Sequence, residues 1–346
     1  MGSPVIPARP LGTTGLDLSR VGFGGAPIGD LRKAPTSVQA EELLSAAWDA
    51  GIRYFDTAPF YGSGLSERRI GDFLRAKPRD SFVLSTKVGR MLVPDRAWAT
   101  ERYGTSGALP FRPVFDFSYD GVMRSHEQSL QRLGLERIDI LLLHDIGRFS
   151  QRDNHDHTWH QAVTGGIRAL EELRASGAVR AIGAGVNEGD VLEALMDQTR
   201  FDVFLLANRY TLLDHAVAEH LLPRCRAEGV AIVVGAPLNT GILLTGAVPG
   251  ASFDYAPASE VILERTSRIE AICRRHEVSL LRAAMTFPLG HPAVISLLPG
   301  PSRASELHDN LEHLRAALPP ELWADLRAAG LLHAQAPAPP SPVLEG

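Results

Sequence analysis

Two cysteines in 346 residues, Cys225 and Cys273, are too few and too far apart for a disulfide framework. Both lie in helix-like sequence and read as buried free thiols, which suits a reducing, cytoplasmic setting. Long hydrophobic runs are missing as well. No stretch of about 18 apolar residues is available for a membrane span, and MGSPVIPARPLGTTGLDLSR at the N-terminus has no apolar core of a signal peptide. Excess positive charge is absent: Lys and Arg number 35 against 40 Asp and Glu, a net charge of −5, with no basic stripe. Nucleic acid is therefore not expected as a partner, and neither is a membrane. The stretch Asp153–His160, DNHDHTWH, has no second ligand cluster at fixed spacing and reads as a solvated loop, so no metal is expected.

What is present is ample material for a buried core, with 45% hydrophobic and 22% charged residues. Short apolar runs alternate with longer amphipathic stretches. The runs predict strands over Val21–Gly24, Arg53–Asp56, Phe82–Val88, Ile138–His144, Val179–Val186, Val203–Asn208, Ala231–Ala236 and Val294–Leu298. Between them, three- and four-residue apolar spacing predicts helices such as Val38–Ala50 and Gly121–Leu133. Gly51, Gly134, Gly177 and Gly229 stand where helix C-termini want a left-handed residue, and Ser66 reads as a helix N-cap. Eight βα units imply an α/β fold, a (β/α)8 TIM barrel. A hairpin over Pro10–Leu18 is expected to plug its N-terminal face. Met91–Phe117 and Gly147–Gln161 are long βα loops expected at the C-terminal mouth. Residues 1–330 are read as one barrel domain and 331–346 as a disordered Pro/Ala-rich tail. GAGVNEG at 183–189 is one residue too long for a dinucleotide fingerprint and belongs to one of eight equal units, so a Rossmann domain is set aside.

Chemistry gathers at the strand ends, which ring one mouth of such a barrel. They carry Asp56, Lys87, His144, Asn187 and Asn208, with Tyr61 five residues beyond Asp56. An acid, a base and an imidazole closing apolar strands are costly to bury unless paired or used. A free phenol, with a pKa of about 10, is a poor acid or base near neutrality. An ammonium beside it favours the phenolate and is expected to lower that value.

YFDTAPFYGSGLSERRIGDFL, FVLSTKVG, RIDILLLHD and LLPGPSRASELHDNL resemble aldo-keto reductase sequence in matching order, from about Arg9 to Ala317. The resemblance implies a catalytic tetrad of Asp56, Tyr61, Lys87 and His144, with Tyr61 as general acid/base and His144 orienting the substrate oxygen. It implies a nicotinamide cofactor near Asn187 and Asn208. The pyrophosphate is expected on the loop of Pro237, Leu238, Asn239 and Gly241, and the adenosine end on Gly300, Ser302, Arg303, Glu306 and Asn310. No aromatic residue follows the seventh strand in VVGAPLNTGIL, where many family members stack one on the nicotinamide. Glu306 stands where NADPH-using members often have Arg; a carboxylate repels a 2′-phosphate and suits a ribose hydroxyl. NAD is therefore the expected cofactor, with Arg303 keeping NADP open. FDFSYDGVMRSHEQSLQRLGLERIDILLLHD, NRYTLLD and GAPLNTGIL resemble the family's bacterial sugar and pyridoxal dehydrogenases. That implies oxidation of an aldose of L-fucose or D-threo-aldose type, or of pyridoxal hemiacetal, to a lactone. Phe60 and Arg148 are the candidate substrate contacts. The alternatives are an NADPH-dependent aldehyde or ketone reductase and, in another class, a cofactor-binding regulatory subunit. Oligomeric state stays open.

Overall fold

The eight apolar runs become eight parallel strands in a computed structural model that describes residues 6–29, 35–103, 109–339, 342 and 344. They are β1 (Phe23–Gly24), β2 (Tyr54–Asp56), β3 (Val83–Val88), β4 (Ile140–His144), β5 (Ala181–Val186), β6 (Val203–Ala207), β7 (Ala231–Gly235) and β8 (Val294–Leu298). Neighbours pair in chain order from β1 to β8. A parallel bridge between Val21 and Leu297 joins the ends and closes the barrel. Backbone bonds from Gly22 N to Leu297 O at 2.9 Å and from Leu297 N to Arg20 O at 2.9 Å complete that seam. Burial on both faces explains the near-continuous apolar runs.

One apolar cluster fills the barrel and another lies between strands and helices. Leu11, Leu16 and Leu18 join the first, packing with Tyr54, Val83, Ile140 and Ile295. They come from the antiparallel hairpin of Ala8–Pro10 and Asp17–Ser19, which is the expected plug. Gly51, Gly134, Gly177 and Gly229 all have positive φ, between 61° and 92°, as expected. Ser66 is different. The helix Leu65–Leu74 starts behind Gly64 without a side-chain cap. The Ser66 hydroxyl instead turns inward, donating to Gly25 O at 2.7 Å and accepting from Thr57 Oγ1 at 2.8 Å. Met91–Phe117 carries most of a hairpin, Arg90–Pro94 with Phe111–Phe115, and the helix Arg96–Tyr103.

The expected disorder of 331–346 is corrected for its described residues. Leu331, Leu332, Ala336 and Leu344 are buried in the outer cluster. Their apolar side chains anchor a segment whose prolines deny it regular structure. His215 helps to dock it: its Nε2 accepts from His333 N at 3.0 Å while Nδ1 faces Thr211 O at 3.2 Å. Burial pushes the His215 pKa down to about 4, and His291 likewise. A depressed folded-state pKa contributes stability that is present above about 6.5 and is lost as pH falls through about 4. The melting temperature should therefore drop across that window, and His215→Gln should flatten part of the drop. A slope unchanged by the substitution would exclude His215 as a source.

Candidate active site

Asp56 ends β2, Lys87 sits one residue from the end of β3 and His144 ends β4, so the ladder brings them to one mouth. Tyr61 reaches the same point from a tight turn. There Gly62 has a φ of 62°, and a Cβ on it would lie 1.6 Å from Gly29 O. Only glycine fits that approach. Glu67, fully buried, fixes the helix behind the turn by accepting from Thr86 Oγ1 at 2.8 Å and Arg132 Nε at 2.5 Å.

Lys87 is 1% exposed, and its ammonium is divided among three oxygens. It donates to Asp56 Oδ1 at 2.7 Å, Thr57 O at 2.9 Å and the Tyr61 hydroxyl at 3.2 Å. Asp56 Oδ2 is held by Ser85 Oγ at 2.6 Å, and that hydroxyl lies 3.0 Å from the Tyr54 hydroxyl. The His144 ring stands edge-on to Tyr61, with centroids 6.0 Å apart. Three of the four residues that the sequence singles out, Asp56, Lys87 and Tyr61, form one hydrogen-bonded group, and the fourth, His144, flanks it.

Electrostatics departs from the sequence expectation at one point. Burial raises the Tyr61 pKa above the ordinary phenol value, and the pull of Lys87 does not overcome it. The phenol is held protonated because leaving water disfavours the phenolate more than one ammonium favours it. Burial alone would lower Lys87, yet Asp56 and Tyr61 raise it to about 12, so it is a fixed cation. Burial, then Arg90 and Lys87, push His144 well below its usual value and keep it neutral.

The nucleotide candidates lie on the other side of the mouth. Asn208 Nδ2 donates to Asn187 Oδ1 at 3.1 Å and to the Tyr255 hydroxyl at 3.0 Å. Asn208 Oδ1 is closed off with no partner, an acceptor that an amide N–H of a nicotinamide carboxamide would satisfy. Asn187 Nδ2 points to Asp145 Oδ1 at 3.5 Å. Pro237, Leu238, Asn239 and Gly241 follow β7; the Asn239 side chain is spent on Asn208 O, at 2.9 Å, and Thr211. Gly300, Ser302 and Arg303 lie between β8 and the helix Ala304–Arg315, which carries Glu306 and a buried Asn310. The Glu306 carboxylate accepts from Ser302 N at 2.8 Å, Ser302 Oγ at 2.9 Å and Arg303 Nε at 2.9 Å. These donors, with the helix start, suit an anion; Glu306 supplies one from within.

Phe60 lines the tetrad, 6.3 Å from His144 between centroids. Arg148 does not converge on it: its side chain is exposed and paired with exposed Asp156 at 3.0 Å. Sequence reasoning missed Asp145, Arg90 and Tyr255. Asp145 directly follows His144 in LLLHD, and Arg90 closes TKVGR, so adjacency to a strand end was the available signal. Tyr255 comes from the short hairpin Ser252–Phe253 with Ala256–Pro257, far along the loop after β7.

A closed parallel barrel with this strand-end constellation, and relatives named as dehydrogenases, define a (β/α)8 oxidoreductase acting on alcohol or aldehyde groups. The chain belongs to the aldo/keto reductase family, whose model matches residues 20–330. It is similar to pyridoxal 4-dehydrogenase of Microbacterium luteolum, with 43% identity covering 94% of this chain and 97% of that one. It is also similar to D-threo-aldose 1-dehydrogenase of a Pseudomonas species, with 39% identity over 92% and 96% of the two chains. Among solved structures, an aldo-keto reductase from Bacillus halodurans in its holo form shares the fold. Its TM-score is 0.72 at 23% identity, covering 98% of this chain and 99% of that one.

Proposed function

We propose that the protein is a dehydrogenase that uses NAD to oxidise a hemiacetal carbon to a lactone, with an aldose of L-fucose or D-threo-aldose type, or pyridoxal, as substrate. The observation that carries this reading is the buried Lys87 ammonium, hydrogen-bonded at once to Asp56 and to the Tyr61 hydroxyl. A bound nicotinamide supplies the site with a hydride acceptor or donor. Tyr61 then takes the substrate hydroxyl proton during oxidation and returns it during reduction, while Lys87 stabilises the phenolate. His144, neutral at physiological pH, orients the substrate oxygen by a hydrogen bond. Asn187 and Asn208 would hold the carboxamide, and the loop from Pro237 to Gly241 with Gly300–Arg303 and Asn310 would hold the remainder of the nucleotide. The names of the two relatives support the substrate class.

Glu306 favours NAD. The Ser302 and Arg303 groups that could bind a 2′-phosphate already serve its carboxylate, and burial notwithstanding, those bonds hold its pKa low. A phosphate would have to displace an anion or sit beside it. Glu306→Gln should raise kcat/KM with NADP by about tenfold, equivalent to about 1.4 kcal/mol. An NADP rate left unchanged would remove Glu306 from cofactor choice.

The deciding experiment compares kcat/KM for L-fucose and pyridoxal with NAD and with NADP. NAD-linked lactone formation from either substrate is the expected result. A strong NADPH preference with simple aldehydes, and no lactone from either, would replace this reading with that of a reductase.

A further inference from the structure

One buried cation at the mouth takes no part in the proton relay. Arg90 follows Gly89, whose φ of 93° turns the chain out of β3; a Cβ there would lie 2.0 Å from the Phe117 ring. That turn places Arg90 at the root of the hairpin, opposite Phe115, with its guanidinium over the mouth. The residue is 5% exposed. Its Cζ lies 4.2 Å from the centroid of Phe60 and 4.9 Å from that of Phe115. A guanidinium carries five N–H donors in a planar fork. Here one donor is accounted for, Nη2 to Asp145 Oδ2 at 2.5 Å, and Nε is closed off without a partner. A clamp serving Asp145 alone would be bidentate. The pair is instead single-bonded, and the other Asp145 oxygen faces Asn187 at 3.5 Å. Nη1 makes no hydrogen bond among the described residues and is not shut off as Nε is, so it is the donor left for an acceptor supplied by a ligand.

The position says which acceptor. The Asp145 oxygen bonded to Arg90 is also 3.4 Å from His144 Nε2, so a single atom separates the guanidinium from the imidazole. Phe60, beneath the guanidinium, directly precedes Tyr61 in the chain. A substrate oxygen between Tyr61 and His144 therefore has the Arg90–Asp145 pair beside it. A second oxygen, on the neighbouring carbon, would then face the guanidinium. Asp145 already neutralises the guanidinium charge, which favours a neutral hydroxyl over a phosphate or carboxylate.

We propose that Arg90 is a specificity-determining substrate contact, donating to the oxygen on the carbon next to the reacting one. The site then selects α-hydroxy carbonyl compounds and their cyclic hemiacetals over plain aldehydes, and of the two proposed substrates it favours the aldose, because the ring carbon next to the reacting carbon of pyridoxal carries no oxygen. This inference rests on the assignment of the reacting oxygen to Tyr61 and His144, but not on any one sugar or on the choice between NAD and NADP.

The test is a ratio. D-glyceraldehyde and propanal differ by the α-hydroxyl and one further hydroxyl, and both are offered for reduction with the preferred reduced cofactor. In Arg90→Met the glyceraldehyde-to-propanal ratio of kcat/KM should fall at least about tenfold, chiefly through KM for glyceraldehyde. Sites built to bond a substrate hydroxyl reject analogues that lack it by larger factors still. Arg90→Lys, which keeps a charge opposite Asp145, should recover part of the ratio and guards against misfolding of the methionine variant. A ratio constant within about twofold in both variants would overturn the proposal, because loss of a purely structural arginine lowers both rates alike. Tyr61→Phe separates the underlying reading: it should lower both rates with the ratio retained, and full activity there would fault the relay rather than Arg90.

Discussion

Tyr61→Phe should lower kcat for oxidation by about 10²–10⁴-fold, the usual weight of a positioned acid/base, while NAD affinity changes little. The substitution removes one oxygen, which accepts from Lys87 Nζ at 3.2 Å and has no bond to Asn187, Asn208 or the loop after β7. Stopped-flow turnover beside fluorescence titration of NADH separates the two effects. The pH profile of the wild type carries the same information. Burial holds the Tyr61 pKa above that of a free phenol, so oxidation, which needs the phenolate, should accelerate as pH rises through the alkaline range. Reduction needs the protonated phenol and should slow over the same range. Parallel profiles in the two directions would exclude Tyr61 as the titrating group.

Lys87→Met should damage the protein twice, and the damages can be told apart. The first is stability: Asp56, 3% exposed, loses its ionic partner and keeps Ser85. Stranding a buried charge in this way costs about 3–5 kcal/mol. Adding Asp56→Asn should recover much of that loss, because the neutral amide needs no counter-ion. The second damage is to turnover, and the double variant should not recover it, since neither residue can then stabilise a Tyr61 phenolate. Denaturant melts and initial rates on the two variants read these separately. A double variant that regains activity along with stability would show that the pair is structural only. Linkage adds a sign: the Lys87 pKa is raised to about 12, so its stabilisation is complete below about 10.5 and is lost as pH climbs through about 12.

The barrel was legible because a buried parallel strand leaves a plain mark, an apolar run closed by a polar residue. Ile140–His144 is of this kind, and its end named His144; Val83–Val88 is more mixed and carries Lys87 one residue from its end. Strand edges were set slightly wide, since apolar character outlasts the ladder. Val203–Asn208 shortens to Ala207 because Asn208 turns to a φ of 59°. Less legible was anything decided by which way a side chain turns. Ser66 has the composition of a cap, yet its hydroxyl faces Gly25. Glu306 was read for its charge toward a ligand, while its oxygens serve Ser302 and Arg303. The shift at Tyr61 depends on a balance between burial and Lys87 that sequence cannot weigh. Arg90 and Asp145 stand three and one residues from tetrad members but meet only because Gly89 turns the chain. In the tail, Pro and Ala dominated the composition, while a few leucines decided the packing.

The most direct test of the relay is isotopic. An aldose deuterated at C1, L-fucose first, is incubated with the protein and NAD, and the reduced nicotinamide and the sugar product are examined by NMR. Deuterium at C4 of the nicotinamide together with the sugar lactone is the predicted result, its rate of appearance falling about 10²–10⁴-fold in Tyr61→Phe. Reduced nicotinamide without the label, or label transfer that survives intact in Tyr61→Phe, would contradict it.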